Sequence, residues 1–134
     1  MKAHGIFSAD EFKNAGVSPN PPIETALPVS VSTMVKRYTG EISGISVTIF
    51  TAAFDPSAGK GTYLAMESFE GSVNEKEGSF NFVHSASTAG GSRENEFFRI
   101  VDGSGTKDFA GISGSGGIAI DADGTHRLWL EYEL

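Results

Sequence analysis

The chain has 134 residues, which suits one domain with a genuine core and leaves no room for two. It contains no cysteine, so a disulfide framework and a thiolate metal site are both excluded. A formal net charge of -7 argues against a nucleic-acid surface, which needs clustered Lys and Arg to displace counterions.

In chain order, Lys2 to Phe7 reads as a first strand. Ser8 to Asn14 is open: Ser8 and Glu11 are spaced as a capping box for a helical turn, while Phe12 equally continues an edge strand. Met1 to Asn14 lacks the apolar run of a signal peptide, and no apolar stretch approaches the ~20 residues of a membrane helix. A soluble cytoplasmic protein is therefore expected, with neither a membrane nor a nucleic acid as partner. Gly16 to Pro28 holds four of the five prolines and is an extended loop, because proline supplies no ladder donor and disfavours helix before it. Val29 to Thr39 and Ile42 to Phe54 are β-branched strand patterns separated at Gly40, and Asp55 to Gly61 is a turn.

Tyr63 to Ser87 then reads as an antiparallel hairpin. Side chains of a strand alternate between faces, so Tyr63, Glu67 and Phe69 share one side, as do Phe80, Phe82 and His84. A two-residue connection at Glu75-Lys76 places Phe69 opposite Phe82 and Glu67 opposite His84. The Gly90-Gly91-Ser92 loop follows, then Glu96 to Val101 as a further strand. Gly103 to Gly111 is a glycine-bearing connection where the chain reverses.

In the last third, Asp123-Gly124 signals a two-residue hairpin. That turn pairs Ile118 with Trp129, Ala119 with Leu128, Gly117 with Leu130 and Ser115 with Tyr132. Large side chains then meet small ones on one face, as the tapering interior of a small barrel requires. The other face carries Trp129, Ile118 and Ile120, which points to an outer surface covered by the N-terminal segment or by a second subunit. No apolar pattern of helical spacing lasts three turns. The chain is all-β, and seven or eight short strands with no helix to cover a sheet favour a single closed antiparallel barrel, with a β-sandwich as the alternative.

Several motifs fail on context. Gly114, Gly116 and Ala119 match the letters of G-x-G-x-x-A, but a strand follows where the dinucleotide fingerprint must open a helix. G-x-S-x-G is absent, and so is Gly-Lys-Ser/Thr. Asp121-Ala122-Asp123-Gly124 faintly echoes a calcium loop, with its glycine two residues early. His4, His84, His126 and Glu67 offer metal-ligand chemistry without metal-ligand spacing, so no metal and no cofactor is expected.

The segments MESFEGSVNEKEGSFNFVHS and VDGSGTKDFAGISGSG and the closing LEYEL resemble a family of uncharacterised bacterial proteins with an allene-oxide-cyclase-like barrel. Gly103-Ser104-Gly105-Thr106 with Phe109 and Gly111 is also similar to the glycine-rich turn of allene oxide cyclases and plant dirigent proteins. The resemblance implies an eight-stranded antiparallel barrel, commonly a homo-oligomer, and implies no activity; none of the cyclases' ligand-binding residues carries over.

Within such a barrel, Glu67 and His84 are the polar groups of an apolar interior. A buried carboxyl beside aromatics carries acid, base or ligand-anchoring chemistry, and an imidazole held by a carboxylate is oriented for proton transfer. The same pair equally serves only to tie the interior together. The expected ligand-binding residues are Glu67, His84, Tyr63, Phe69, Phe80 and Phe82, with no catalytic residue assigned. Three functions follow: a barrel binding a small apolar molecule, an isomerase or cyclase using the Glu/His pair, and an oligomeric scaffold with a filled core.

Overall fold

Inward and outward side chains alternate along eight strands in the computed structural model, which describes residues 1–134. They are β1 (Lys2–Asn14), β2 (Val29–Gly40), β3 (Ile42–Asp55), β4 (Lys60–Val73), β5 (Lys76–Ala89), β6 (Ser92–Ile100), β7 (Ser113–Ile120) and β8 (His126–Glu133). Each strand pairs antiparallel with its neighbour in sequence, and β1 pairs with β8 to close the barrel. Closure removes the sheet edges that an all-β chain of this length otherwise exposes. No helix is long and apolar enough to cross a membrane.

Ser8 to Asn14 is strand throughout, interrupted by a bulge between Asp10 and Lys13 where Glu11 takes φ 54°. The capping-box alternative loses because ladder partners on β2 are available up to Asn14. The prolines between Gly16 and Pro28 lie in the loop that joins β1 to β2.

The central hairpin has a different register from the one its sequence suggests. Val73 pairs with Lys76, so the turn is Asn74-Glu75, both residues at positive φ (48° and 70°). Such a turn matches the strand twist and suits Asn at its first position. Pairing slips by two residues: Phe69 faces Phe80, Glu67 faces Phe82, and Ala65 faces His84. An even slip preserves the faces, so every inward residue of the hairpin still points inward.

The β7–β8 hairpin slips by one. Its loop runs from Asp121 to Thr125, held by Asp121 N–H donating to Thr125 O (2.8 Å) and Thr125 N–H donating to Asp123 Oδ1 (3.0 Å). The two-residue Asp-Gly turn is therefore replaced by a longer loop tied by its own aspartates. Ile118 faces Leu128, Gly116 faces Leu130 and Gly114 faces Tyr132. The contrast of small against large survives on new partners, but Ile118 turns from the expected outer face into the barrel, against the core. A Cβ on Gly116 would lie 2.3 Å from the Trp129 carbonyl oxygen, so this position admits only glycine.

The barrel's two ends differ. At one, the connection between β6 and β7 folds a short 3-10 turn (Lys107–Phe109) underneath, placing Phe109 and Ile112 in the core with Ile42, Val73 and Tyr132. Above this plug the interior is filled by rings: Phe69 to Phe80 at 5.2 Å, Phe80 to Phe109 at 5.2 Å, and Phe82 stacked on Phe98 at 4.8 Å. The other end is open.

Candidate functional site at the open mouth of the barrel

Above the aromatic layer lies a layer of polar side chains. Lys36 on β2 bonds Glu67 at 2.8 Å, and Ser46 on β3 donates to the other carboxylate oxygen at 2.9 Å, with the Tyr38 hydroxyl at 3.4 Å. Glu67 is fully enclosed, while the Lys36 ammonium also lies 5.1 Å from the centre of the Phe7 ring. A buried carboxylate held by one cation and two hydroxyls is satisfied where it stands. Burial, and then the neighbouring Glu67 charge, hold the Tyr38 phenol well above its usual range.

Glu67 and His84 therefore share the interior without bonding one another. The register shift moves His84 one step nearer the mouth, opposite Ala65. There its Nε2 lies 2.7 Å from Glu96 Oε2 and its Nδ1 lies 3.3 Å from the Tyr63 hydroxyl. Burial pushes the His84 imidazole below its ordinary value, against the opposing pull of Glu96. A neutral ring beside a carboxylate must donate through Nε2, leaving Nδ1 to accept the Tyr63 proton. Glu96, His84 and Tyr63 thus form a continuous chain of proton donors and acceptors. Burial also raises the Tyr63 phenol, opposed by the charge of Arg93.

A bulge brings Glu96 into place. Between Ser85 and Ser87 the β5–β6 register shifts, and Asn95 takes φ 53°. Bulges re-aim a side chain at sheet rims and sites, and here the carboxylate after the bulge turns over the rim onto His84. Next to it the barrel wall thins, because β6 and β7 share one ladder pair, Arg99 with Ser115. Beyond that pair, side chains replace the ladder: Arg93 Nη1 donates to Ile118 O at 2.8 Å, and Ile118 N–H points to Glu96 Oε2 at 3.4 Å.

These residues surround a cavity of ≈ 240 Å³ at the mouth. Its walls are mostly apolar, with Phe7, Ala9, Met34, Phe50, Ala65, Ile118 and Ile120, and its polar lining is Tyr63, His84, Lys36, Arg93 and His126. No carboxylate lines it. A second depression of ≈ 470 Å³, over the thinned β6–β7 wall, shares Arg93, Ile118 and Ile120 with the first.

Of the six residues singled out from sequence, Tyr63 and His84 line this cavity; Glu67, Phe69, Phe80 and Phe82 lie beneath it in the packed interior. Leu128 and Leu130 are likewise core. His4 sits on the outer face opposite Trp129, while His126 reaches the mouth beside Phe7, ring centres 5.4 Å apart. No group of three or more His, Asp or Glu side chains converges as metal ligands do. Glu96 and Arg93 escape a reading of the sequence, because a bulge breaks the alternation that would have placed them. The available signal is Asn95, a residue tolerant of positive φ inside a strand pattern.

Against known proteins, a comparison with curated sequences finds no match. A crystal structure of a DUF3224-family protein of unknown function from Shewanella oneidensis MR-1 superposes with a TM-score of 0.86, at 20% identity, covering 100% of this chain and 96% of that one. At that identity the likeness speaks for the fold. The model of the same family, described as a protein of unknown function, matches residues 3–132. Nearly the whole barrel is thus accounted for, and the chain belongs to the DUF3224 family of proteins of unknown function.

Proposed function

We propose that the barrel binds a small, largely apolar molecule in its open mouth, with Tyr63, His84, Lys36 and Arg93 as the polar groups around it. The observation that carries this reading is the asymmetry of the interior: rings fill one part of the barrel, and a mostly apolar cavity with a few convergent polar groups occupies the other. At ≈ 240 Å³ the cavity falls below the ~300–1,000 Å³ of drug-sized sites, so the molecule is correspondingly small. Tyr63 offers a hydroxyl at the edge of the apolar wall, with its ring stacked on Phe50 at 5.1 Å.

Native mass spectrometry of protein purified without denaturation tests this. The wild-type chain is expected to retain a small molecule, or to take one up from a panel of small aromatic and alicyclic compounds. Ala9→Trp, which fills the mouth from the rim, is expected to lose it. An empty wild type after exposure to the whole panel contradicts the reading. The same spectra count subunits. A homo-oligomer accompanies this proposal, supported by the apolar outer face of Val47, Ile49, Leu64 and Met66, each about half exposed. Light scattering that finds a monomer at high concentration would remove it.

A further inference from the structure

The Glu96–His84–Tyr63 chain ends at a cavity, and its chemistry says more than binding does. Its arrangement matches that of an activated nucleophile or base: a carboxylate fixes the tautomer of an imidazole, and the other ring nitrogen faces a hydroxyl. Attack and proton removal by the phenol both send its own proton to His84; in proton removal that proton can be handed back, so the site is restored with nothing consumed. The cavity wall narrows the substrate. Most of the lining is apolar, and its charged groups are Lys36 and Arg93, each paired with a carboxylate that lies outside the cavity (Glu67 at 2.8 Å, Glu96 at 3.5 Å), so their remaining N–H donors are what meets negative charge that develops there. Among small apolar molecules, a C–H bond is acidic enough for such a base next to a carbonyl group.

We propose that the barrel mouth is a proton-transfer site for small unsaturated ketones, with Tyr63 as the catalytic base, His84 as its proton acceptor and Glu96 as the positioning residue. Tyr63 Oη removes a proton from the carbon beside the carbonyl while its own proton passes to His84 Nδ1. The C–H electron pair moves into the new C=C bond of a dienolate, whose negative oxygen faces the N–H donors of Lys36 and Arg93. The dienolate then takes a proton back at its far carbon from Tyr63, which recovers its own from His84. One C–H bond is broken and one made, the double bond moves, and no co-reactant is consumed. This inference rests on the mouth cavity being a binding site.

The groups that face His84 set the pH dependence. Tyr63 lies on β4, Glu96 and Arg93 on β6, Lys36 on β2, and His126 shares the cavity from β8, with Glu67 beneath. The active state needs His84 neutral, so the rate falls as pH drops below the ordinary imidazole range.

Cyclohex-3-enone is the probe, with conversion to cyclohex-2-enone and deuterium uptake from heavy water followed by NMR. Wild-type protein is expected to accelerate both. Tyr63→Phe is expected to lower the rate by about 10²-fold or more while still binding cyclohex-2-enone by saturation transfer. Glu96→Gln is expected to slow the reaction less and to move the acid limb of the rate–pH profile to lower pH, because Glu96 raises the His84 value. A purely structural Glu96 would leave that limb in place. Binding of cyclohex-2-enone with no accelerated conversion of cyclohex-3-enone, or a Tyr63→Phe rate equal to wild type, overturns the proposal; failure of wild type to bind cyclohex-2-enone overturns the substrate class. The retained-molecule measurement with Ala9→Trp judges the cavity separately, so a binding barrel without proton transfer is told apart from no site at all.

Discussion

At the scale of single residues, the polar layer under the mouth divides into groups that stabilise and groups that face the cavity. Glu67 belongs to the first. Replacing one member of a buried ion pair leaves the other uncompensated, at a cost of about 3–5 kcal/mol, whereas apolar replacement of both is often neutral. Glu67→Gln is therefore expected to lower unfolding stability by about 3 kcal/mol in a denaturant titration. Lys36→Met/Glu67→Leu together are expected to lose less than Glu67→Gln alone. Tyr38 and His84 act at opposite ends of the pH scale. The Tyr38 phenol is raised in the folded state, so its contribution is present below the unfolded value near ~10 and is lost as pH rises. His84 is lowered, so stability is intact above about 6.5 and falls as pH drops through that value toward the lower folded one. Thermal melts across pH are expected to show a flatter alkaline limb in Tyr38→Phe and a flatter acid limb in His84→Gln.

At the scale of strands, the site is made by irregularities. The bulge at Asn95 aims Glu96, and a left-handed conformation costs a β-branched residue about 1–2 kcal/mol. Asn95→Val is expected to lose that much stability and to shift the His84 ring signals in NMR, while Asn95→Gly keeps both. The wall between β6 and β7, with its single ladder pair, is expected to exchange its amide hydrogens faster than the fully paired β3–β4–β5 sheet. These same irregularities decide what was legible in the chain. Tyr63, Glu67, Phe69, Phe80, Phe82 and His84 were assignable to the interior because an even slip, from a turn at Asn74-Glu75, leaves parity intact. The sequence places Ile118 outward because the Asp121–Thr125 loop is longer than a two-residue turn by an odd number of positions, and an odd slip turns β7 over while β8 keeps Leu128, Leu130 and Tyr132 inside. The Glu67–His84 contact needed the register itself, which local turn preferences do not fix.

At the scale of the whole molecule, closure and taper follow from composition: strands without helices, glycine opposite Leu130 and Tyr132, and a glycine-bearing connection that plugs one end with Phe109. The plug fills one end while the mouth stays open, so one sequence yields both a rigid core and a cavity. That division places binding at the mouth and leaves stability to the layers beneath. The most direct measurement of it is chemical-shift mapping of the isotope-labelled protein during titration with cyclohex-2-enone. Perturbations are expected to concentrate on Tyr63, His84, Phe50, Met34 and Ile118. Perturbations centred on the plug around Phe109 or on the outer face around Ile49 and Met66, or none at saturating enone, would contradict it.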